Sequence, residues 1–488
     1  MRKAPSKLEA VMVLSNPESI LSTLNLRPPG AVLLISCYEL GHQPLGVASA
    51  AGFLEGAGYA PEALDVAVEP FDAAKAARAR FVGLSVPMHT ALRLGVRVAE
   101  RVRELNPTCH ICFYGLYAWM NAEYLLRRHA DSVIGGEFEE PLLALVQELE
   151  GGTNGGVAGV SMRGRPAPPH LKRLPFAEPS RRTLPALDRY ARLDSDGELR
   201  VAGYVEATRG CAHLCMHCPI PPVYGGRFFV VPQKVVLADI RRLVEAGARH
   251  VTFGDPDFLN GPGHSLRILR AMHEEFPSLS YDFTAKVEHV LEHRGLFPEL
   301  ARLGCIFMIS AVESLSDVVL ANLAKGHTRA AAHEALGVVR GAGISFRPTW
   351  VPFTPWTAAR DYLDILDFVE TEGLIDHVDA VQYGIRLLVP PGSLLLDRPE
   401  MRPFLTSLDE ASLSHGWTHP DPWMDRLQRD IAMLVARDAG DGEDAAVTFQ
   451  RVRALAEREL LGREREAGPP SLPRDRRRPP RLTESWFC

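Results

Sequence analysis

Three absences limit what this chain can be. It has no apolar run long enough to span a bilayer, and its eight cysteines among 488 residues are too few for a disulfide scaffold. Positive charge is not in excess either, because 54 Lys and Arg stand against 60 Asp and Glu, giving a net charge of −6. We therefore expect a cytoplasmic protein without a signal peptide, a membrane partner or a nucleic-acid partner.

The first 150 residues alternate between short apolar runs and amphipathic stretches. A strand is predicted at 31–36 and a helix at 46–55, and the same alternation continues to about residue 150. Strands that alternate with helices over short connections form a parallel sheet covered by helices. The pattern predicts an α/β fold class, with a doubly wound, Rossmann-like domain over 1–150.

A second alternating region follows a Gly- and Pro-rich stretch at 151–198, which is predicted to be an irregular linker. Six strand–helix units then predict a partial parallel barrel over 199–400, with functional residues at the carboxyl ends of its strands. Residues 401–467 are predicted to be helical, and 468–488 to be a flexible Pro/Arg-rich tail. The strands of the barrel are expected at 202–207, 249–254, 281–286, 305–311, 344–351 and 378–387.

Cys211, Cys215 and Cys218 follow the first barrel strand at a compact spacing. Thiolates are soft ligands that suit iron–sulfur clusters or zinc. A structural zinc site needs four ligands, and His213 or His217 inside the loop would complete one, so zinc stays as an alternative. On a four-iron cluster, three thiolates instead leave one iron free to bind a small chelating molecule and pass it an electron.

This cysteine loop, placed after the first strand of a partial barrel, resembles the radical SAM superfamily. The resemblance implies that the three cysteines hold a [4Fe–4S] cluster whose open iron chelates S-adenosylmethionine (SAM). Reductive cleavage of SAM then gives methionine and a 5′-deoxyadenosyl radical. An external electron donor is implied, because no second cluster motif is present. The aromatic residue usual before the third cysteine is replaced here by His217.

Two later loops resemble the same family and supply candidate SAM contacts. Asp255 lies in a segment similar to the family's acidic D-x-x-F segment, which contacts the SAM amino group in many relatives. Glu313 and Ser314, followed by Lys325, resemble the family's G-x-E-S…K-G-H-T pattern and are expected to face SAM. Capping of the next helix is the alternative role for Ser314.

Two basic residues complete the predicted SAM-binding set. Lys286 ends the third barrel strand and could reach SAM or substrate, or form a rim ion pair with Glu288. Arg347, in the fifth strand, could neutralise the SAM carboxylate or serve the structure alone. No catalytic residue is assigned.

The N-terminal domain resembles the cobalamin-binding domain found at the front of many radical SAM enzymes. Gly135, Gly136 and Glu137 resemble a G-G-E segment of that domain class, which makes cobalamin a candidate third cofactor. The D-x-H-x-x-G motif that supplies an axial histidine is missing, and His42 lacks the preceding Asp. A crevice at the carboxyl ends of such strands can hold a cofactor that bears a tail.

The remaining cysteines have separate interpretations. Cys109, Cys112 and Cys305 are expected to pack in the core, whereas Cys37 ends the first strand near the predicted crevice. Cys488 ends a mobile tail, and the chain resembles radical SAM proteins with a CUAEP or CCAEP tail. That resemblance implies a coding sequence that continues through a recoded stop codon.

The leading hypothesis is a radical SAM enzyme that modifies an unidentified substrate. A cobalamin-dependent radical SAM methyltransferase is the alternative within this chemistry, and it predicts a cobalt chromophore. A non-catalytic metal-binding protein is the alternative from another class, and it predicts metal binding without cleavage of SAM.

Overall fold

The computed structural model describes residues 24–152, 155–462, 476 and 478–484. Within them, two large sheets organise the chain and confirm the predicted α/β class: a doubly wound domain followed by a curled half-barrel. The expectations for Cys488 and for most of the predicted tail lie outside the described residues. None of the helices in these ranges is long and apolar enough to cross a membrane.

The first sheet forms the core of the N-terminal domain. Its strands are β1 (Val32–Ser36), β2 (Glu62–Asp65), β3 (Phe81–Ser85), β4 (His110–Tyr114), β5 (Ser132–Ile134) and β6 (Val160–Met162). They lie in the order β2-β1-β3-β4-β5-β6, parallel except for β6. The central strands β1 and β3 are buried along their whole length, because helices cover both faces. The connection that follows β1 leads to β2 at one edge of the sheet, whereas the connection that follows β3 leads to β4 on the other side. This reversal of direction leaves a crevice between the carboxyl ends of β1 and β3.

Six helices connect the strands of the first sheet and cover its faces. They are α1 (Leu45–Gly56), α2 (Ala73–Arg78), α3 (His89–Leu105), α4 (Leu116–Met120), α5 (Ala122–Arg128) and α6 (Glu139–Gly151).

The second sheet forms the half-barrel. Its strands are β7 (Arg192–Ser195), β8 (Glu198–Val205), β11 (His250–Phe253), β12 (Ser280–Thr284), β13 (Cys305–Glu313), β14 (Ser345–Trp350) and β17 (Arg481–Leu482). They lie in the order β14-β13-β12-β11-β8-β7-β17, with five parallel strands from β14 to β8. A separate antiparallel pair follows β8 and consists of β9 (Thr208–Gly210) and β10 (Phe228–Val230). Helices that pack on the outside of this sheet enclose the largest apolar core of the protein.

The helices of the second half connect the parallel strands and then extend past them. Those between β9 and β14 are α7 (Ile220–Tyr224), α8 (Gln233–Glu245), α9 (Pro262–Glu275), α10 (Val287–Glu292), α11 (Phe297–Arg302), α12 (Asp317–Asn322) and α13 (Arg329–Gly341). The later helices are α14 (Ala359–Thr371), α15 (Pro422–Gly440) and α16 (Ala445–Leu461).

The sixth barrel strand, predicted at 378–387, does not form. That segment contains a 3₁₀ turn at Ala380–Gly384 and only an isolated bridge between Phe353 and Arg386. The Gln382 side chain explains the difference, because its Oε1 accepts a hydrogen bond from the Trp350 backbone N–H at 2.9 Å. A side chain thus satisfies the edge of β14 where a sixth strand would have paired.

Besides the pair β9 and β10, three further segments contain strands that the sequence pattern did not predict. The segment 151–198, predicted to be irregular, contributes β6 to the first sheet and β7 to the second. The predicted helical region opens with an antiparallel hairpin of β15 (Leu405–Asp409) and β16 (Ser414–Trp417). Part of the predicted flexible tail forms β17, which pairs with β7. These strands are two to five residues long and pair with partners remote in sequence or across a turn, so local pattern carries little signal for them.

Candidate functional site

The three cysteines lie on one loop between β9 and α7, at the carboxyl-end mouth of the half-barrel. The loop begins at Gly210, whose φ is +75°, and a Cβ placed on this residue would lie 2.5 Å from the carbonyl oxygen of Arg227. Only glycine fits that close approach. Farther along, the Met216 N–H donates to the Leu323 carbonyl at 2.9 Å, which ties the loop to the end of α12.

The three thiols are free and lie in a largely buried loop. Cys211 and Cys215 are buried, and Cys218 is partly buried. Burial raises the pKa of Cys211, and it raises the pKa of Cys218 to about 12, with the neighbouring cysteines adding to both effects. Thiols held protonated in this way become ligands when a cation displaces their protons. The Asn260 amide nitrogen lies 3.7 Å from the Cys211 sulfur.

A zinc site made of three cysteines and one histidine finds no support in the geometry. The His213 Nε2 lies 3.6 Å from Asp257 Oδ2, and the His217 Nε2 lies 3.3 Å from Glu313 Oε1. Across the described ranges, three potential ligand atoms converge within 4.8 Å of one another in one group, and that group contains no cysteine. A cluster with an open iron therefore suits the loop better than tetrahedral zinc.

Glu313 is held in an unusual conformation at the carboxyl end of β13. Its φ is +66°, at a register shift between β13 and β14. Non-glycine residues in this region carry strain that persists only where surrounding contacts enforce it. Here the Lys325 ammonium lies 3.4 Å from Glu313 Oε1, and the His217 Nε2 lies 3.3 Å from the same oxygen.

Glu313 and Lys325 each stabilise the charged form of the other. Burial raises the pKa of Glu313, but Lys325 and His217 outweigh it and hold that pKa at about 2. Burial lowers the pKa of Lys325, yet Glu313, Cys215 and Cys218 together raise it above its ordinary value. An anion and a cation are thus kept side by side next to two of the three cysteines. Lys325 was absent from the predicted SAM-binding set, although the K-G-H-T resemblance contained it.

Asp255 and Ser314 bind the protein's own backbone and side chains. The Asp255 carboxylate accepts from the Thr208 hydroxyl at 2.6 Å and from the Ala207 N–H at 2.9 Å. Both of its oxygens therefore brace the strand that leads into the cysteine loop. The Ser314 hydroxyl accepts from the Ser316 N–H at 3.1 Å, which is a local turn contact.

Lys286 and Arg347 lie in different parts of the barrel. The Lys286 ammonium lies 3.1 Å from Glu288 Oε2, at the carboxyl end of β12. The Arg347 guanidinium pairs with Asp379 at 3.0 Å and lines a small cavity that His42 also lines. The structure thus brings Lys286 to the cysteine-loop end of the barrel, whereas Arg347 lies near the loop that follows β1.

Arg209, two residues before the first cysteine, joins the two halves of the protein. Its guanidinium pairs with Glu139 at the start of α6 and lies 3.6 Å from Glu137 and 2.9 Å from Glu206. It also donates to the hydroxyl of Ser49 on α1 at 3.1 Å. Nothing in the sequence pattern indicated this role, because the carboxylates that surround Arg209 come mostly from distant segments.

The carboxyl edge of the first sheet carries a cavity of about 440 Å³ beside Cys37. Val66, Val98 and Tyr190 also line it, and the lining contains no histidine among the residues that the structure describes. His42 is instead buried against Tyr204 of the half-barrel, with the ring centroids 4.4 Å apart.

Two family models match this chain. Residues 205–354 match the radical SAM superfamily, and residues 31–146 match the B12 binding domain. The chain carries a B12-binding domain followed by a radical SAM domain. The radical SAM match begins at the end of β8 and ends just after β14, so it encloses the cysteine loop, Glu313 and Lys325.

Similar proteins of known name share parts of this arrangement. A hopanoid C-3 methylase from Methylococcus capsulatus is 26% identical over 54% of this chain and 51% of its own length. A tRNA-2-methylthio-N(6)-dimethylallyladenosine synthase from Desulfitobacterium hafniense is 31% identical over 28% of this chain and 25% of its own. The chain thus spans about half, or less, of the length of these curated relatives.

Two solved structures share the fold. The cobalamin-dependent SAM radical enzyme OxsB with aqua-cobalamin bound matches with a TM-score of 0.65 and 15% identity, over 84% of this chain and 67% of its own. The radical SAM methyltransferase TsrM from Kitasatospora setae, with tryptophan and a SAM analogue bound, matches with a TM-score of 0.57 and 16% identity. That match covers 70% of this chain and 71% of TsrM.

Proposed function

We propose that this protein is a radical SAM enzyme that uses a [4Fe–4S] cluster to cleave SAM and modify a substrate. The carrying observation is the loop of three free cysteines at the mouth of the half-barrel, within the radical SAM match. With an electron from an external donor, the cluster would supply reductive cleavage of SAM to methionine and a 5′-deoxyadenosyl radical. That the enzyme acts on a substrate and receives its electron from an external donor also belongs to this proposal.

The roles of the chain's own residues follow from their contacts. Cys211, Cys215 and Cys218 would hold the cluster. Glu313 would accept hydrogen bonds from SAM, because the neighbouring Lys325 keeps its carboxylate ionised. Lys325 would also balance the negative charge of the thiolates. A further residue, Asp255, would position the loop through its bonds to the strand before it.

Anaerobic assay of the iron- and sulfide-reconstituted protein tests this proposal. We expect SAM-dependent formation of 5′-deoxyadenosine and a reduced-cluster EPR signal that changes when SAM is added. Cys215→Ala should lose both, whereas Cys305→Ala should keep both, because Cys305 is buried in β13. A protein that holds zinc, lacks the cluster signal and leaves SAM intact would show the proposal to be wrong.

A second candidate, cobalamin-dependent methyl transfer, is favoured by the N-terminal domain. Bound cobalamin would supply a carrier for the methyl group. The support is the match to the B12 binding domain, the cavity of about 440 Å³ at its carboxyl edge, and the contact of that domain with β9, just before the cysteine loop, through Arg209. OxsB and TsrM, which share the fold, are named as a cobalamin-dependent enzyme and as a methyltransferase.

Cobalamin binding can be tested separately from SAM cleavage. We expect one cobalamin per chain in the full-length protein, measured by absorption and cobalt content. Val98→Trp narrows the cavity and should reduce cobalamin binding while the iron content is kept. Glu104→Trp, on the exposed side of the same helix, is the matched control. If the wild-type protein binds no cobalamin, the first proposal stands without the second.

A further inference from the structure

A second group of potential ligands lies beside the cysteine loop. It brings together His213 from that loop, Asp257 from the segment after β11, and His289 from α10. The Asp257 Oδ2 lies 3.0 Å from His289 Nδ1 and 3.6 Å from His213 Nε2, and the two ring nitrogens are 3.5 Å apart. Two imidazole nitrogens and one carboxylate oxygen thus lie within 3.6 Å of one another.

Hydrogen bonding alone explains this triangle poorly. Only the contact between His289 and Asp257 has the length of a good hydrogen bond, and the other two edges are too long. With metal–ligand bonds of about 2.1 Å, tetrahedral ligand atoms stand about 3.4 Å apart. The three observed edges of 3.0, 3.5 and 3.6 Å lie around that value.

The Asp257 carboxylate is also held in place. The Asp257 Oδ1 accepts from the Leu259 N–H at 3.0 Å, and its Oδ2 accepts from the Lys286 N–H at 3.1 Å, which fixes the carboxylate. The outward His213 Nδ1 lies 3.7 Å from Glu288 Oε2, which is longer than a hydrogen bond, so the carboxylate of Asp257 is the one that its backbone contacts hold in place.

We propose that His213, Asp257 and His289 form a mononuclear site for a divalent transition metal such as Zn²⁺, separate from the three cysteines. Two imidazoles and one carboxylate are a donor set typical of Zn²⁺ and Fe²⁺. Asp257 is buried, whereas the side chains of His213 and His289 are 16% and 12% exposed. The open side leaves a coordination position for water or for an oxygen or nitrogen donor of the substrate.

Co²⁺ is a suitable probe for this site in the reconstituted protein. The oxidised [4Fe–4S] cluster is EPR-silent, so the high-spin Co²⁺ signal reports the added metal alone. We expect one Co²⁺ per chain, with nitrogen and oxygen but no sulfur in its X-ray absorption spectrum. His289→Ala should remove this binding, because it deletes one of the three ligands.

The comparison variant is His293→Ala, which removes a histidine that packs against His289 but does not belong to the triangle. It should bind Co²⁺ as the wild type does, and iron and sulfide contents show whether each variant is folded. Sulfur around the cobalt, no stoichiometric binding, or unchanged binding in His289→Ala would each overturn the proposal. Because Co²⁺ binding needs no SAM cleavage, it succeeds or fails independently of the proposed enzyme activity.

Discussion

The Lys325 ammonium lies 3.4 Å from the Glu313 carboxylate, and both side chains are almost wholly excluded from solvent. A buried ion pair contributes little net stability over an apolar pair, but removing one partner leaves the other charge uncompensated. This relationship fixes the conformation of a strained residue at the end of β13, next to the cysteine loop.

Lys325→Met should therefore destabilise the cluster-free protein by about 3–5 kcal/mol, because Glu313 would stay buried without its cation. The double variant Lys325→Met/Glu313→Gln should recover part of that loss. Denaturant unfolding measures both. Lys234→Met, at an exposed helix position, should stay within about 0.5 kcal/mol of the wild type. An equal loss in the single and double variants would contradict this explanation.

Substitution of Arg209 should destabilise the protein about as much as substitution of Lys325, because it also leaves buried carboxylates without their cation. Arg209→Met leaves Glu137, Glu139 and Glu206 close together without their shared cation. We expect a loss of about 3–5 kcal/mol in the free energy of unfolding, together with a lower yield of assembled cluster. Arg200→Met removes an exposed ion pair and should cost no more than about 1 kcal/mol. Equal losses at the two positions would show that the buried junction has no special role.

His42 should make the stability depend on pH. Burial lowers the pKa of His42 to about 3, whereas an unfolded chain has the ordinary value of 6.5. Between these values the unfolded state binds the proton and the folded state does not, so stability should fall as the pH falls from 6.5 toward 3. The contribution of this one group has a slope of at most about 1.4 kcal/mol per pH unit.

The variant His42→Phe tests this dependence while keeping a ring against Tyr204. Urea unfolding at several pH values should show a shallower decline with acid for the variant than for the wild type. Parallel curves would mean that other groups cause the decline.

Gly46 and Ser85 should behave as a coupled pair at the crevice of the first sheet. A Cβ at Gly46 would lie 2.6 Å from the Ser85 Oγ but 3.8 Å from its Cβ. Gly46→Ala should therefore cost about 1–3 kcal/mol through overpacking. Adding Ser85→Ala removes the clashing oxygen and should restore part of the loss. If the two costs simply add in a double-mutant cycle, the close approach is not the cause.

The sequence predicted most of the fold because its parallel strands are buried apolar runs separated by amphipathic helices. The strands β1, β11 and β14 lie close to where the pattern placed them. The sixth barrel strand was predicted incorrectly, because Gln382 satisfies the Trp350 N–H with a side chain. Apolar periodicity does not record which group will occupy a sheet edge.

The candidate site divides in a similar way. The cysteine spacing marked the loop, since three thiols within eight residues must lie near one another. Asp255 and Asp257 are two residues apart, yet Asp255 accepts from Ala207 and Thr208 before the cysteine loop, while Asp257 lies against two histidines. The prediction selected Asp255 by resemblance, and the sequence contains nothing that separates the two carboxylates.

The sequence by itself determined the alternating α/β architecture and the clustering of Cys211, Cys215 and Cys218, because both depend on residues close together in the chain. Only the tertiary structure decided the partners of Arg209, Glu313 and His213. Those partners come mainly from other strands and from the other half of the protein, and it is folding that sets the distances between them. Burial makes an unpaired charge costly, and burial too is set only when the chain packs.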